Sequence, residues 1–164
     1  MLLVGDMPKR NSEIYPKKIG LIDGDKRFSY KEVNLRINRL GNALQEMGLK
    51  KGEKVAVMAP NCHQFVELYF AVAKTGLVVV PVNTRFLAEE ASRVINHSES
   101  SIFVYHNALE DVAAKVRENI PGVKHFISIW GGGNGGTYSY EDLVQKGSAV
   151  EPQEKIDQDD YHSS

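Results

Sequence analysis

Between Glu53 and Ile129, short apolar runs alternate with stretches of helical periodicity, and this rhythm limits the chain to few architectures. Val55-Ala56-Val57-Met58 is a continuous apolar run, as a strand buried on both faces requires. Pro60-Asn61 breaks it, and Asn61 can cap a helix over Cys62–Thr75 that is apolar nearly all round, through Phe65, Val66, Leu68, Tyr69, Phe70 and Val72. Gly76 ends that helix and Leu77–Val82 is the next buried strand. Leu87–Ser98 reads as helix, with Leu87, Ala91, Val94 and Ile95 on one side, and Ser101–Tyr105 as strand. Ala108–Ile120 is helical, with Leu109, Val112, Ala113 and Val116 inward and a stop at Pro121-Gly122; Val123–Ile129 is again a strand. Strands alternating with helices of about 10–15 residues argue βαβ units. The expected fold class is therefore α/β, a parallel, doubly wound sheet with helices on both faces.

The flanks differ from this middle. Residues 1–18 read as a short amphipathic helix, with Ile14 and Tyr15 as anchors and Pro16 as the stop. Ile19–Asp23 and Lys26–Ser29 flank Asp23-Gly24-Asp25, a strong hairpin signal. Ser29 with Glu32 forms a capping box before a helix that carries Val33, Ile37, Leu40, Leu44 and Met47 on one face. Gly48 suits a left-handed C-cap, with Leu49 folding back onto the last turn. Gly131 to Gly136 holds five glycines and one asparagine and predicts a mobile surface loop, followed by a short capped helix at Ser139–Val144. From Lys146 to Ser164 the chain is polar and aperiodic. The expected organisation is one α/β unit over 1–145 and a polar linker over 146–164.

Composition narrows the function classes. Across 164 residues, 20 Lys and Arg against 21 Asp and Glu give a net charge of −1, with no electrostatic footprint for nucleic acid or anionic lipid. Hydrophobic residues at 42% and charged ones at 25% exclude a disordered chain. The one cysteine, Cys62, permits no internal disulfide and fits a reducing compartment, so the cytoplasm is expected. Met1–Val4 is too short for a signal peptide, and Lys74 and Pro81 interrupt the most apolar stretches, so no transmembrane segment is expected. Asn96-His97-Ser98 reads as a chance glycosylation match.

The chemical candidates are few. The glycine loop lacks the lysine and Ser/Thr of a P-loop, and no GxGxxG stands between a strand and a helix. His63, His97, His106, His125 and His162 show no zinc spacing, so no metal site is expected. Cys62 and His63 are adjacent on a helix and do not face each other, which leaves His63 as a packed or capping residue. Glu89-Glu90 and Asp159-Asp160 read as solvated surface. No catalytic residue is assigned. Arg85 stands out because it follows Leu77–Val82 and Asn83-Thr84, just past the carboxyl end of an expected central strand, where open α/β sheets bind ligands. A guanidinium there can take a phosphate in bidentate fashion; the alternative is a bond to loop carbonyls or to Glu89 or Glu90.

The ordered set of segments resembles the adenylate-forming enzymes, specifically the acyl-CoA synthetases of the AMP-dependent ligase family. Asn11 to Ile22, reading NSEIYPKKIGLI, is similar to the family's opening N-x-E-x-x-P-D-K-x-A. Phe28-Ser29-Tyr30-Lys31-Glu32-Val33 resembles its T-Y-x-E-L motif, and Leu40 to Ala56 its L-x-x-x-G-v-x-k-G-D-x-V-a. Tyr69 to Gly76 leading to Val80-Pro81-Val82-Asn83-Thr84-Arg85 resembles a-x-x-k-x-G-a-x-x-x-P-l-N-x-R. The likeness runs over about residues 8–160. It implies a parent enzyme that joins a fatty or aryl carboxylic acid to CoA, using ATP, Mg²⁺ and CoA. An adenylation domain loading a carrier protein, or a luciferase-like ligase, are alternatives, and a complete non-catalytic α/β binding module is another. By the resemblance, Arg85 is the arginine that approaches the CoA phosphates. The family's ATP loop would follow Asp159-Asp160-Tyr161, so the chain is expected to be an N-terminal fragment, inactive alone and binding no cofactor tightly. A homodimer is left open.

Overall fold

The computed structural model of the protein describes residues 3–133 and 135–153. A 3-10 turn at Val4–Asp6 leads into α1, Met7–Ile14. This lead-in docks by its first turns: Gly5 and Pro8 are buried, and a Cβ on Gly5 would lie 3.2 Å from the backbone nitrogen of Lys74. Ile14 and Tyr15, expected as anchors, are instead 51% and 52% exposed.

The hairpin and its cap form as their residues dictate. β1 (Ile19–Asp23) and β2 (Lys26–Ser29) pair antiparallel through a turn with Gly24 at φ +58°. α2 spans Tyr30–Glu46. The Ser29 hydroxyl accepts from the Glu32 N–H at 3.1 Å, and the Glu32 carboxylate accepts from the Ser29 N–H at 2.8 Å, which satisfies two donors that a helix start leaves unpaired.

Five parallel strands follow: β3 (Lys54–Met58), β4 (Val78–Pro81), β5 (Ile102–His106), β6 (His125–Ile129) and β7 (Thr137–Ser139). Their spatial order is β4-β3-β5-β6-β7. α3 (His63–Thr75) carries the chain from β3 outward to β4, and α4 (Ala88–Ser98) brings it back past β3 to β5. The order reverses between β3 and β5, so the carboxyl ends of those two strands flank the crevice in which such sheets hold ligands.

Alternating side chains of each strand face opposite layers. Val55, Val57, Ile102, Val104, Ile127 and Ile129 pack against α2, α3 and α6 (Tyr140–Lys146). Ala56, Met58, Phe103 and Tyr105 pack against α4 and α5 (Glu110–Arg117). The fold is thus the expected α/β sheet, covered on both faces.

Three local expectations differ. The helix expected over Ala108–Ile120 is a 3-10 turn at Asn107–Leu109 plus the shorter α5, and Ile120 instead plugs the core from the loop at 1% exposure. The sequence shows no sign of β7: three residues are too few for a period, and Phe126–Ser128 of β6 supplies the edge that orders them. β4 is an edge strand of the described sheet, not a central one, because the next crossover returns to the far side of β3.

The first residues of the polar segment after Lys146 lie along α2. Asn42 Nδ2 donates to the carbonyls of Ser148 and Val150, each at 2.7 Å, and Asn38 Nδ2 to that of Ala149 at 3.1 Å. Lys74 Nζ, nearly buried, reaches Asn34 Oδ1 and Asn38 Oδ1 at 2.7 Å and Glu151 Oε1 at 2.6 Å. Among the described residues, no helix is long and apolar enough to cross a membrane.

Candidate functional site

The break after β3 builds one side of the crevice. Ala59-Pro60 ends the strand, the chain turns through Cys62, and α3 begins at His63; the cap position falls on Cys62 rather than the expected Asn61, with no side-chain cap bond there. The His63 N–H donates to the Asp23 carboxylate at 3.0 Å, which staples the hairpin to the start of α3. One turn further, Glu67 is fully buried in a helix that is otherwise mainly apolar.

Glu67 is paired on every side. Its Oε2 accepts from Arg36 Nε at 2.6 Å, its Oε1 from Arg36 NH2 at 3.1 Å and from the Tyr140 hydroxyl at 3.0 Å. His63 Nδ1 lies 3.2 Å from Oε2. Arg36 also donates to Glu141 Oε1 at 3.0 Å, and Gln64 Nε2 to the same oxygen at 3.1 Å. Burial pushes the Glu67 carboxyl up, but the hydrogen bonds from His63 and Arg36 outweigh it and hold the group below its ordinary value. Burial opposes the Arg36 charge, yet Glu67 and then Glu141 raise its pKa. Tyr140 is pushed well up, first by burial and then by the Glu67 charge, so it stays a neutral donor. A carboxylate only accepts, so His63 Nδ1 carries the proton of their shared bond. His63 Nε2 is buried and has no partner among the described residues.

Two rings pack against the His63 imidazole. The Phe28 centroid is 4.7 Å and the Trp130 centroid 5.9 Å from that of His63. Lys26 Nζ sits 3.7 Å from the Trp130 ring centroid. These side chains, with Arg27, Arg36 and Glu141, line a cavity of about 330 Å³.

Arg85 lies elsewhere. Its N–H donates to Asn83 Oδ1 at 2.9 Å in the loop after β4, and its exposed guanidinium has no hydrogen bond or ion pair among the described residues. The alternative partners are not engaged with it: Glu89 pairs with Arg93 at 3.2 Å, and Glu90 is exposed. The remaining candidates stay apart. His106 Nδ1 accepts from the Ala108 N–H at 3.0 Å, with its pKa lowered by burial, and His125 meets Tyr138 edge-on. Burial raises the Cys62 thiol, which keeps it protonated. Among the described residues, no three His, Cys, Asp or Glu side chains converge to hold a metal ion. Asn134, Asp159, Asp160 and His162 lie outside the described residues. The glycine loop turns the chain from β6 into β7, with Gly132 at φ +83° where a Cβ would strike the Tyr138 carbonyl.

Residue patterns alone pointed to Arg85 and to a packed His63, and they missed Arg36, Glu67 and Tyr140. The available signal was Glu67 itself, since a carboxylate inside an apolar helix requires a buried partner.

A family model described as "AMP-binding enzyme" matches residues 8–161. Crotonobetaine/carnitine–CoA ligase of Proteus mirabilis is 41% identical over 98 residues, which is 57% of this chain and 19% of that protein. The Escherichia coli protein of the same description is 40% identical over 78 residues, or 48% of this chain and 15% of that protein. Among solved structures, the N-terminal domain of FACL13 from Mycobacterium tuberculosis superposes with a TM-score of 0.88 at 27% identity, covering 98% of this chain and 40% of that one. A Mycobacterium tuberculosis fatty acyl CoA synthetase gives 0.86 at 27% identity, covering 96% and 31%. The chain spans about a fifth of the length of the curated relatives it matches.

Proposed function

The chain belongs to the AMP-binding enzyme family, and from that premise we propose that it forms the opening part of the large domain of an ATP-dependent acid–CoA ligase. The reaction has two steps. A carboxylate attacks the α-phosphorus of ATP and expels pyrophosphate, giving an acyl-adenylate. The CoA thiol then attacks the acyl carbon and AMP departs. The observation that carries this reading is the family match over residues 8–161, joined by 41% identity to a CoA ligase. The acid is proposed only as a free carboxylic acid of the fatty, aryl or betaine type, since the relatives are named for different acids.

Within this reading, Arg85 receives a CoA phosphate. An exposed guanidinium with no hydrogen bond or ion pair among the described residues supports that role, although it follows the edge strand β4 and not the crevice between β3 and β5. In a ligase carrying these residues, Arg85→Ala should raise the KM for CoA about tenfold, the worth of one charge-assisted hydrogen bond, and leave ATP–pyrophosphate exchange unchanged. An unaltered KM for CoA removes Arg85 from the site. The 164-residue chain by itself should support no ATP–pyrophosphate exchange with any carboxylic acid, because it spans about a fifth of the relatives' length; exchange by the purified chain would overturn the partial-domain reading. The reaction is placed in the cytoplasm, where ATP and CoA are supplied, and sedimentation tests for a homodimer.

A further inference from the structure

The reading of Arg85 raises the question of what aims it. The guanidinium makes no hydrogen bond or ion pair among the described residues, so its backbone alone fixes where the side chain can reach. That backbone is anchored on both sides. Val82, 5% exposed, donates its N–H to the Val57 carbonyl at 2.8 Å, which ties the chain leaving β4 to β3. Phe86 packs into the layer of α4 and α5. Between these anchors stands Asn83. Its carbonyl accepts from the Phe86 N–H at 3.1 Å, which closes a turn with Thr84 and Arg85 at its centre. Its side-chain Oδ1 accepts from the Arg85 N–H at 2.9 Å. Asparagine suits this double task because its amide oxygen reaches the backbone N–H two residues on. Without that acceptor the Arg85 N–H turns to water, and the centre of the turn is free to change its backbone angles.

We propose that Asn83 is the positioning residue for Arg85. By holding the Arg85 N–H it sets the direction in which the guanidinium leaves the turn, and so the place where it meets a CoA phosphate. Asn83 acts through Arg85 and does not touch CoA itself. The proposal rests on the reading of Arg85 as a phosphate contact, whereas the turn it invokes stands on its own hydrogen bonds.

Two measurements separate the turn from the contact. In the 164-residue chain, Asn83→Ala should speed amide exchange at Arg85, read by NMR, about fivefold, the worth of one hydrogen bond, and leave exchange at Val82 unchanged. Asn83→Ser keeps a neutral but weaker acceptor and should fall between Asn83→Ala and the unmodified chain. In a ligase carrying these residues, Asn83→Ala should raise the KM for CoA about fivefold. It should leave kcat and ATP–pyrophosphate exchange unchanged, with Asn83→Ser again intermediate; a general loosening of the fold would not confine its effect to CoA. In an Arg85→Ala background, Asn83→Ala should raise the KM for CoA no further. Unchanged exchange at Arg85 overturns the role of the turn. Losses that add in the double variant show Asn83 touching CoA directly and overturn positioning. A KM for CoA raised by Arg85→Ala but unmoved by Asn83→Ala overturns this proposal alone, whereas a KM unmoved by either overturns the reading of Arg85 and this proposal with it.

Discussion

Glu67 joins three helices at one point: Arg36 comes from α2, His63 from α3 itself and Tyr140 from α6. A buried charge that loses its counter-charge is left desolvated and unpaired. Glu67→Gln should therefore cost about 3 kcal/mol in urea unfolding, at the low end for a broken buried pair because Arg36 keeps some access to water. The pH dependence has a definite sign. A carboxyl held below its ordinary value stabilises the fold above the unfolded pKa, about 4.3, and that stability is lost as pH falls through the lower folded value. Unfolding midpoints should thus fall more steeply below about pH 4 in the unmodified chain than in Glu67→Gln; parallel slopes would show that Glu67 does not titrate with folding. That Arg85 follows β4 was legible from the sequence, because place after a strand is local information. The Glu67 cluster was not, because two of its partners, Arg36 and Tyr140, lie 31 and 73 residues away.

Local chemistry and distant contact also divide the elements. The Ser29–Glu32 box is written in four residues and forms as written. Ser29→Ala should lower stability by about 1 kcal/mol, read as a fall in Tm, with the α/β far-UV spectrum kept. The segment after α6 is the opposite case. Its polarity suggests a free linker, yet Asn34, Asn38 and Asn42, spaced four apart along α2, bond to the segment running to Glu151. Gly147 lies so close to α2 that a Cβ would strike the Arg39 carbonyl. Asn42→Ala removes two of these bonds and should cost about 1–2 kcal/mol. Amide exchange should accelerate over residues 147–153 while the amides of β3 and β5 keep their protection. Unchanged exchange over 147–153 would mean that the asparagines do not hold the segment.

At the scale of the molecule, both faces of β3 and β5 are buried, one in each hydrophobic layer, so neither layer can open without exposing the other. The described unit should unfold in one cooperative step, with Trp130 fluorescence and far-UV signal falling together in urea; separated transitions would show two independent layers. The sequence by itself determined the α/β class, the hairpin, the helix caps at Ser29 and Ser139 and the order of strands and helices from β3 to β6. These follow from periodicity and capping, which act over a few residues. Only the tertiary structure decided that β4 is at the edge, that Thr137–Ser139 joins the sheet, that residues 147–151 are tied down, and that His63, Glu67, Arg36 and Tyr140 meet. The physical reason is the same in each case. A polar group or a three-residue strand carries no preference for where it lies until a distant partner supplies the missing hydrogen bond, and that partner is brought within reach only when the hydrophobic layers have closed.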